Sequence, residues 1–392
     1  MVAKAIDDVN HLSQNATAAR PALIVAVDTP SGLPSDGQSA EGPVLYAHKT
    51  VTFTAPKPGQ LISRDAATVG VLKVVGIGSP PELVEEIGKG TLRWLEPQEF
   101  RALPLVRPAD SHKGLYGHVL VLAGSLGKSG AAVMCSHAAL CAGAGLVTVA
   151  TPDVVLPVVA AAHPEYMSEP LAATSTGATS TRNITEKRFA QIEEGKTVLA
   201  TGPGLGLHPE TQDFIRTIVR QTELPVVLDA DGLNAFAGRA DELRDRKAKF
   251  LAITPHPGEM SRLLNISTKA IQQDRVKAAQ DAAKRWNVHV VLKGSHTVVT
   301  SPDGRLFVNT TGNPGLAKGG SGDVLTGILA ALTAQFKTDD WTRVLALGVY
   351  LHGGAADLAV KRTDPSGLLA TAVSRAVPKA RRDLLLELQR RE

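Results

Sequence analysis

NPGLAKGGSGD (residues 313–323) sets four glycines, a lysine and a closing aspartate directly before the apolar run VLTGILAAL. A loop with few side chains exposes its backbone N–H groups, and a helix starting at its end adds a positive dipole, so the two together can hold an anion. An aspartate beside such a hole is repelled by the anion unless it has a proton to take or a cation to share. For an isolated GxGD, an N-capping aspartate after a flexible turn is the competing reading. The rest of the chain decides between them.

With 43% hydrophobic residues, the 392-residue chain can fill a sizeable core and is not disordered. Lys+Arg exceeds Asp+Glu by 42 − 38 = 4, and the only basic cluster is terminal (Lys379, Arg381, Arg382, Arg390, Arg391), read as solvated helix faces. Aromatic residues at 4% are too few to suggest base stacking, so no nucleic-acid partner is expected. Cys135 and Cys141 lie six apart in a helical run and point to different faces, against both a disulfide and a metal pair. The amino terminus MVAKAIDDVNHLSQ is too polar for a signal peptide, and no apolar run approaches 18 residues. A cytoplasmic protein with no membrane partner is expected, and compact α/β domains of this kind commonly associate, so a homo-oligomer is expected too.

Short β-branched runs alternate with longer helical ones, the pattern of a parallel sheet covered by helices. Strands are expected at 22–28, 50–53, 71–75, 118–123, 146–150, 198–201, 226–229, 250–254 and 288–293, then a hairpin of 297–300 with 306–309 turned by Pro302-Asp303-Gly304. The text between Gly76 and Gly114 is turn-rich and irregular, which places a domain boundary near residue 100. AATSTGATSTRN (172–183) reads as a mobile surface loop, and no repeat is found.

In the second segment the glycines fall at strand-to-helix turns, where doubly wound sheets bind ligands. GSLGKSGAA follows the first of these strands and ends like a P-loop, but the glycine required five positions before Gly127 is Leu122. The turn is better read as one in which Ala131 and Ala132 let a flat ligand approach a helix start. Next come Gly202-Pro203-Gly204-Leu205-Gly206, then Asp229-Ala230-Asp231, whose acids are evenly balanced between capping and function. His256, fixed between two prolines at a strand end, suits ligand contact better than core packing. Lys293-Gly294-Ser295-His296-Thr297 leads into the opening stretch.

Five glycine-rich turns in this order, ending in GxGD, form one constellation. SHKGLYGHVLVLAG, SGAA, AGAGLVTVATP, TGPGLG, LDADGLN, TPHPGE, LKGSHT and NPGLAKGGSGDVLTGILAAL, spread over residues 105–390, resemble the ADP- or ATP-dependent NAD(P)H-hydrate dehydratase family. The resemblance implies a ribokinase-like three-layer α/β domain with a central, mostly parallel sheet at 101–392. It implies dehydration of (6S)-NADH or NADPH hydrate at the expense of ADP, giving AMP and phosphate, with ATP as the other possible donor. In that scheme Asp323 takes the proton of the C6 hydroxyl while the N–H groups of Gly320, Ser321 and Gly322 stabilise the transferring phosphoryl group. The helix start is expected to lower the Asp323 pKa. By the same resemblance Ala131, Gly204 and His256 contact the hydrated cofactor, and Lys293, Gly294, Ser295, His296, Thr297 and Gly322 bind the AMP portion of the donor. Lys318 either offsets phosphate charge or is a solvated loop lysine. Mg²⁺ bridging phosphates is expected from the chemistry, although the sequence shows no dedicated metal cage.

Residues 1–100 resemble a different family. VDTPSGLPSDG and TVTFTAPKPGQL are similar to the carboxyl-terminal part of the NAD(P)H-hydrate epimerase domain, which implies a partial Rossmann-like α/β segment. The matching positions imply that Asp28 serves the hydrated substrate and Ser31 a potassium ion, with K⁺ relevant only to a complete epimerase site. A phosphate loop of the NNGGDG kind is absent from this text, so the segment is expected to be either a truncated epimerase or a structural appendage, without epimerase activity. Two rivals remain: a ribokinase-like kinase of a small vitamin-precursor alcohol, since fold does not fix function, and a noncatalytic nucleotide-binding scaffold.

Overall fold

The computed structural model describes residues 1–14, 22–88 and 92–390. It divides into two compact units, Met1–Arg93 with Ile266–Ala278, and Trp94–Asn265 with Ala279–Glu392. Arg391, the last member of the basic cluster, lies outside the described residues. Among the described residues no helix is long and apolar enough to cross a membrane.

In the first unit, strands β1 (Val25–Val27), β2 (Lys49–Phe53) and β3 (Val71–Val75) form a parallel sheet in the order β1-β2-β3. Its core is small, with Leu33, Val44 and Val69 buried together. Val25, Val27, Val71 and Val74 are exposed. The Asn10 side chain ties the first helix to a loop, donating to the Val44 carbonyl and accepting from the Tyr46 N–H, both at 2.9 Å.

The second unit is built on a ten-stranded sheet. In chain order its strands are β4 (Arg93–Trp94), β5 (His118–Leu122), β6 (Leu146–Pro152), β7 (Met167–Leu171), β8 (Val198–Thr201), β9 (Val226–Leu228), β10 (Leu251–Ile253), β11 (His289–Leu292), β12 (Val298–Thr300) and β13 (Leu306–Val308). Across the sheet they run β4-β13-β12-β11-β10-β9-β8-β5-β6-β7. From β11 to β7 every pairing is parallel, and β12 and β13 form the antiparallel hairpin expected from Pro302-Asp303-Gly304. Side chains alternate between two buried faces. Val119, Val121, Val147, Val149, Val198 and Ala200 pack with the helices Ser129–Cys141, Ser321–Gln335, Trp341–Ala359 and Ala370–Arg390. Leu120, Leu122, Leu199 and Leu228 point the other way and are equally buried. A strand buried on both sides loses the polar–apolar alternation of a half-buried one, which is why these strands read as continuous aliphatic text.

The strand order reverses at β5, with β6 on one side and β8 on the other. The crevice at the carboxyl ends of β5 and β8 is therefore the expected ligand position of an open α/β sheet. Two bonds join the loops that line it: Gly124 N–H to the Pro203 carbonyl (2.9 Å) and Ser125 Oγ to the Gly204 carbonyl (2.7 Å).

Three expectations need correction. β7 was not foreseen because MSEPL is polar and holds a proline, which an edge strand tolerates. The 172–183 segment is not a loose surface loop, since Thr179, Ser180 and Asn183 are buried. The Asn183 side chain bonds both backbone groups of Ala172 (2.8 and 3.0 Å), and one Glu210 oxygen accepts from Ser180 Oγ and from the N–H and hydroxyl of Thr181. Small hydroxyl residues signal disorder only where nothing accepts their hydrogen bonds. Arg381, read as solvated, donates to the Leu105 carbonyl at 2.9 Å.

The helices Ser129–Cys141 and Ser321–Gln335 touch backbone to backbone at Gly327, where a Cβ would lie 2.0 Å from the Cys135 carbonyl oxygen. No side-chain rotation relieves that clash. Gly327→Ala should cost about 1–3 kcal/mol by overpacking, read from urea unfolding as a lower midpoint at unchanged slope. Wild-type stability would show that the helices can part freely.

Candidate active site

The stretch 313–323 folds as a braced loop running into a helix. Asp357 holds it from behind, accepting from Gly312 N–H (2.8 Å) and from the Asn313 amide (2.9 Å). Gly320 has φ 90°, a conformation glycine adopts at little cost, and the helix Ser321–Gln335 starts from it. Its first intrahelical bond runs from Val324 N–H to the Gly320 carbonyl (3.0 Å), and Ser321 N–H turns back to the Lys318 carbonyl (3.3 Å). The amides of Gly322 and Asp323 precede that ladder and stand at the positive end of a 15-residue helix. Lys318 donates to the Ser366 carbonyl at 2.8 Å.

Beneath this turn lies a charged floor. Asp229, 1% exposed, follows β9. Its Oδ1 is 2.6 Å from Lys293 Nζ, and its Oδ2 accepts from the Thr326 hydroxyl at 2.8 Å. The same hydroxyl lies 3.1 Å from the Gly322 carbonyl. Lys293, at the end of β11, is also 3.7 Å from Glu259 Oε2. Burial alone would lower the Lys293 pKa, but Asp229 and Glu259 outweigh it and raise the value above normal. The pair reaches up to the glycine turn: a Cβ on Gly322 would be 3.4 Å from Lys293 Nζ and 3.5 Å from Asp229 Oδ2.

Asp323 stands over this floor, and its chemistry reverses the expectation from the helix start. Burial and then Asp229 push its pKa up, Lys293 opposes them, and Asp231 adds to the rise, leaving it at about 7. The helix dipole acts within a turn and contributes modestly, whereas desolvation beside other carboxylates shifts a carboxyl by whole units. Asp323 is therefore a stronger base than expected. Behind the turn, His352 is buried, and burial drives its pKa down to about 4 against a hydrogen bond with the Ser321 backbone.

The remaining residues of the second unit surround this centre. Ala131 and Gly204 touch where the loops after β5 and β8 meet: Gly204 has φ 65°, and a Cβ there would lie 2.8 Å from the Ala131 Cβ. Asp231 accepts from Gly206 N–H (2.8 Å) and pairs with Lys128 (3.1 Å). Between the two acids Ala230 is held at φ 49°, ψ −122°, a strained conformation for a residue with a Cβ. His256 is half-exposed and caps the helix Pro257–Leu264: its Nδ1 accepts from the N–H groups of Gly258 (3.0 Å) and Glu259 (3.3 Å), while Glu259 accepts from His256 N–H (2.7 Å). Glu259 thus links His256 to Lys293. The 294–297 turn continues from Lys293, with Gly294 and Ser295 exposed, His296 at φ 54° and Thr297 Oγ donating to the Gly294 carbonyl (3.2 Å). The structure therefore brings Asp323, Gly322 and Lys293 around Asp229, sets Gly320 of the same turn against Met134 and Ala370, and places Ala131 with Gly204.

Asp28 and Ser31 belong to the first unit and are considered separately. Asp28 ends β1 at φ 65°, and its Oδ1 accepts from Lys57 Nζ (2.5 Å) and Thr52 Oγ1 (2.9 Å). Lys57 is the main cause of its lowered pKa. Ser31 is exposed, and its carbonyl accepts from Leu45 N–H.

Sequence reasoning left Asp229 undecided and did not single out Glu259 or Thr326. Asp229 carried a signal, being an acid that directly follows an aliphatic strand in LDADG. Thr326 carried none, because one hydroxyl in an apolar helix reads as packing. Among the described residues there is no group of three or more His, Cys, Asp or Glu side chains able to hold a metal ion.

Comparison with known proteins agrees with this geometry. Residues 119–379 match the family model described as NAD(P)H-hydrate dehydratase, and residues 1–59 match that of the YjeF-related protein N-terminus. The bifunctional NAD(P)H-hydrate repair enzyme Nnr of Moorella thermoacetica is 41% identical over 93% of this chain and 68% of its own length. Its namesake in Thermofilum pendens is 38% identical over 92% and 67%. The chain thus spans about two thirds of the length of these relatives. Among solved structures, the ADP/ATP-dependent NAD(P)H-hydrate dehydratase of Bacillus subtilis, co-crystallised with ATP and Mg²⁺, superposes with TM-score 0.65 at 31% identity, covering 74% of this chain and 98% of that one. A ribokinase-like superfamily protein of Enterococcus faecalis gives TM-score 0.63 at 29% identity, covering 76% and 97%. The fold is ribokinase-like, and the chain belongs to the NAD(P)H-hydrate dehydratase family.

Proposed function

We propose that residues 101–392 convert (6S)-NADH or NADPH hydrate to the reduced cofactor, using ADP as phosphoryl donor and releasing AMP and phosphate, with ATP able to serve in its place. The observation that carries this is the placement of Asp323: a carboxylate made basic by burial, set among the amides of a glycine turn at a helix start. The C6 hydroxyl is a poor leaving group. Asp323 takes its proton as the oxygen attacks the terminal phosphoryl group, and the amides around Gly322 receive the charge on that group. The ring nitrogen then expels phosphate from C6, a proton leaves C5, and the ring double bond is restored. Ala131, Gly204 and His256 are assigned to the hydrated cofactor, and the turn 293–297 with Gly322 to the AMP portion. Within that turn the Lys293 side chain is committed to Asp229, so contact with the nucleotide falls to the exposed Gly294 and Ser295. Mg²⁺ fits as an ion carried on the donor's phosphates, where it would neutralise charge, because both Asp229 oxygens already have partners. Residues 1–100 are assigned to the carboxyl-terminal part of an epimerase-like domain. There Asp28 would face hydrated substrate and Ser31 a potassium ion.

The direct assay incubates purified protein with hydrated NADH, Mg²⁺ and either nucleotide while following recovery of reduced-nicotinamide absorbance. Activity should rise with pH through about 7 as Asp323 loses its proton. Asp323→Asn should lower turnover by roughly 100-fold or more, and near-normal activity would remove Asp323 from the base role. Stability should move the other way. A carboxyl whose folded pKa lies above its ordinary 3.8 binds its proton more tightly when folded, so the wild type loses stability as pH rises from about 4 to about 7. Asp323→Asn should therefore melt above the wild type at alkaline pH, with the gap closing near pH 4.

His256→Asn keeps a helix-capping oxygen while removing the ring. It should weaken the hydrated cofactor about tenfold, the scale of one lost polar contact, and leave ADP binding and melting temperature unchanged. Equal losses for both ligands would make His256 purely structural.

A further inference from the structure

We infer that Asp229 is a positioning residue for this reaction: through Lys293 on one side and Thr326 on the other, it fixes the first turn of the helix Ser321–Gln335 and so sets where Asp323 and the Gly322 amide stand. The inference rests on the proposed role of Asp323.

Three observations carry it. The Asp229 carboxylate is buried, and each oxygen accepts from one side chain: Lys293 Nζ at 2.6 Å and the Thr326 hydroxyl at 2.8 Å. Thr326 also lies 3.1 Å from the Gly322 carbonyl, one helical turn earlier, so the contact reaches the backbone of the anion-binding turn. Finally, the Asp229 backbone is itself clamped. Its N–H donates to Thr201 at 3.0 Å, and its carbonyl accepts from Gly232 N–H at 2.9 Å, so close to Gly202 that a Cβ there would lie 1.8 Å away. A rigid strand end therefore grips a helix start through two side chains.

The same arrangement gives Asp229 an electrostatic effect on Asp323. The groups acting on Asp323 are Asp229 and Asp231 from the β9 turn, which raise its pKa, and Lys293 from β11, which lowers it. Glu259 from the helix Pro257–Leu264 draws on Lys293, Lys128 pairs with Asp231, and the buried Cys135 and His352 are uncharged at neutral pH. Removing the Asp229 charge takes away a repulsion and frees Lys293 to act on Asp323, and both changes favour the ionised base. A residue that merely helped the protein to fold would not move that equilibrium.

The test is a ¹³C-carboxyl NMR titration of aspartate-labelled full-length protein, with the Asp323 signal assigned by its disappearance in Asp323→Asn. In Asp229→Asn the Asp323 midpoint should fall by about one unit or more, the size of a neighbouring-charge effect. The acid limb of kcat should follow it, and kcat at the plateau should drop on the order of 100-fold, the cost of a misplaced group. Thr326→Val cuts the tether without touching a charge. It should lower kcat, leave the midpoint within half of the Asp229→Asn shift, and be rescued by Thr326→Ser. An unmoved midpoint in Asp229→Asn overturns the electrostatic effect, and unchanged kcat in Thr326→Val overturns the tether. Should Asp229→Asn fail to fold, the Thr326 pair decides alone. The titration needs no turnover, so a wild type inactive on the hydrate but showing the shifted midpoint would overturn the substrate assignment and leave the role of Asp229 standing.

Discussion

The ion pair of Asp229 with Lys293 is the contact on which the centre depends. Two charges removed from water are tolerable only when they meet each other and their remaining hydrogen-bonding capacity is used. Here Asp229 has Lys293 and Thr326, and Lys293 has Asp229 and Glu259. Because the partners come from the ends of β9 and β11 and from two helices, satisfying the charges fixes the distances between four elements at once. The β9–β10–β11 ladder sets the strand register, and the charges set where the two helices stand against the strand ends.

The glycines complete that constraint by letting backbones meet. Gly202 lies against the Asp229 carbonyl, Gly232 against Gly202, and Gly327 against the Cys135 carbonyl. At each place a side chain would force apart two backbones that now touch. The glycine-rich text therefore has two separate causes. Gly320 and Gly204 supply backbone angles that turn the chain toward a ligand, whereas Gly202, Gly232 and Gly327 bring protein against protein.

That distinction marks what could be read from the chain. Order, type and approximate bounds of the strands on which the glycine turns sit were legible, because both faces of the sheet are buried and aliphatic runs persist. The GxGD turn was legible because few other functions require glycines with a terminal acid before an apolar helix. The basicity of Asp323 was not. Local reasoning supplies the helix start that lowers its pKa, but the dominant causes are burial by the folded chain and the charge of Asp229, 94 positions earlier. His256 was half legible: its flanking prolines indicated a fixed position, yet its capping of the next helix follows only from the side-chain geometry. The 172–183 loop failed for a related reason, as Glu210 lies far downstream of the hydroxyls it accepts from.

A basic aspartate is also a stability liability, and the fold shows how it is sustained. Above neutral pH the native state keeps Asp323 ionised near Asp229 and Asp231, and it holds Ala230 in a strained conformation between those two acids. These costs fall on the rim of a sheet whose strands are buried on both faces, where the hydrophobic contribution is large and independent of pH. Spreading the carboxylates would stabilise the chain above neutral pH and, by the same step, lower the Asp323 pKa, leaving burial as the remaining cause of its basicity. The apolar interior and the charged rim are thus coupled through one trade: the sheet supplies the stability that a poised base gives up.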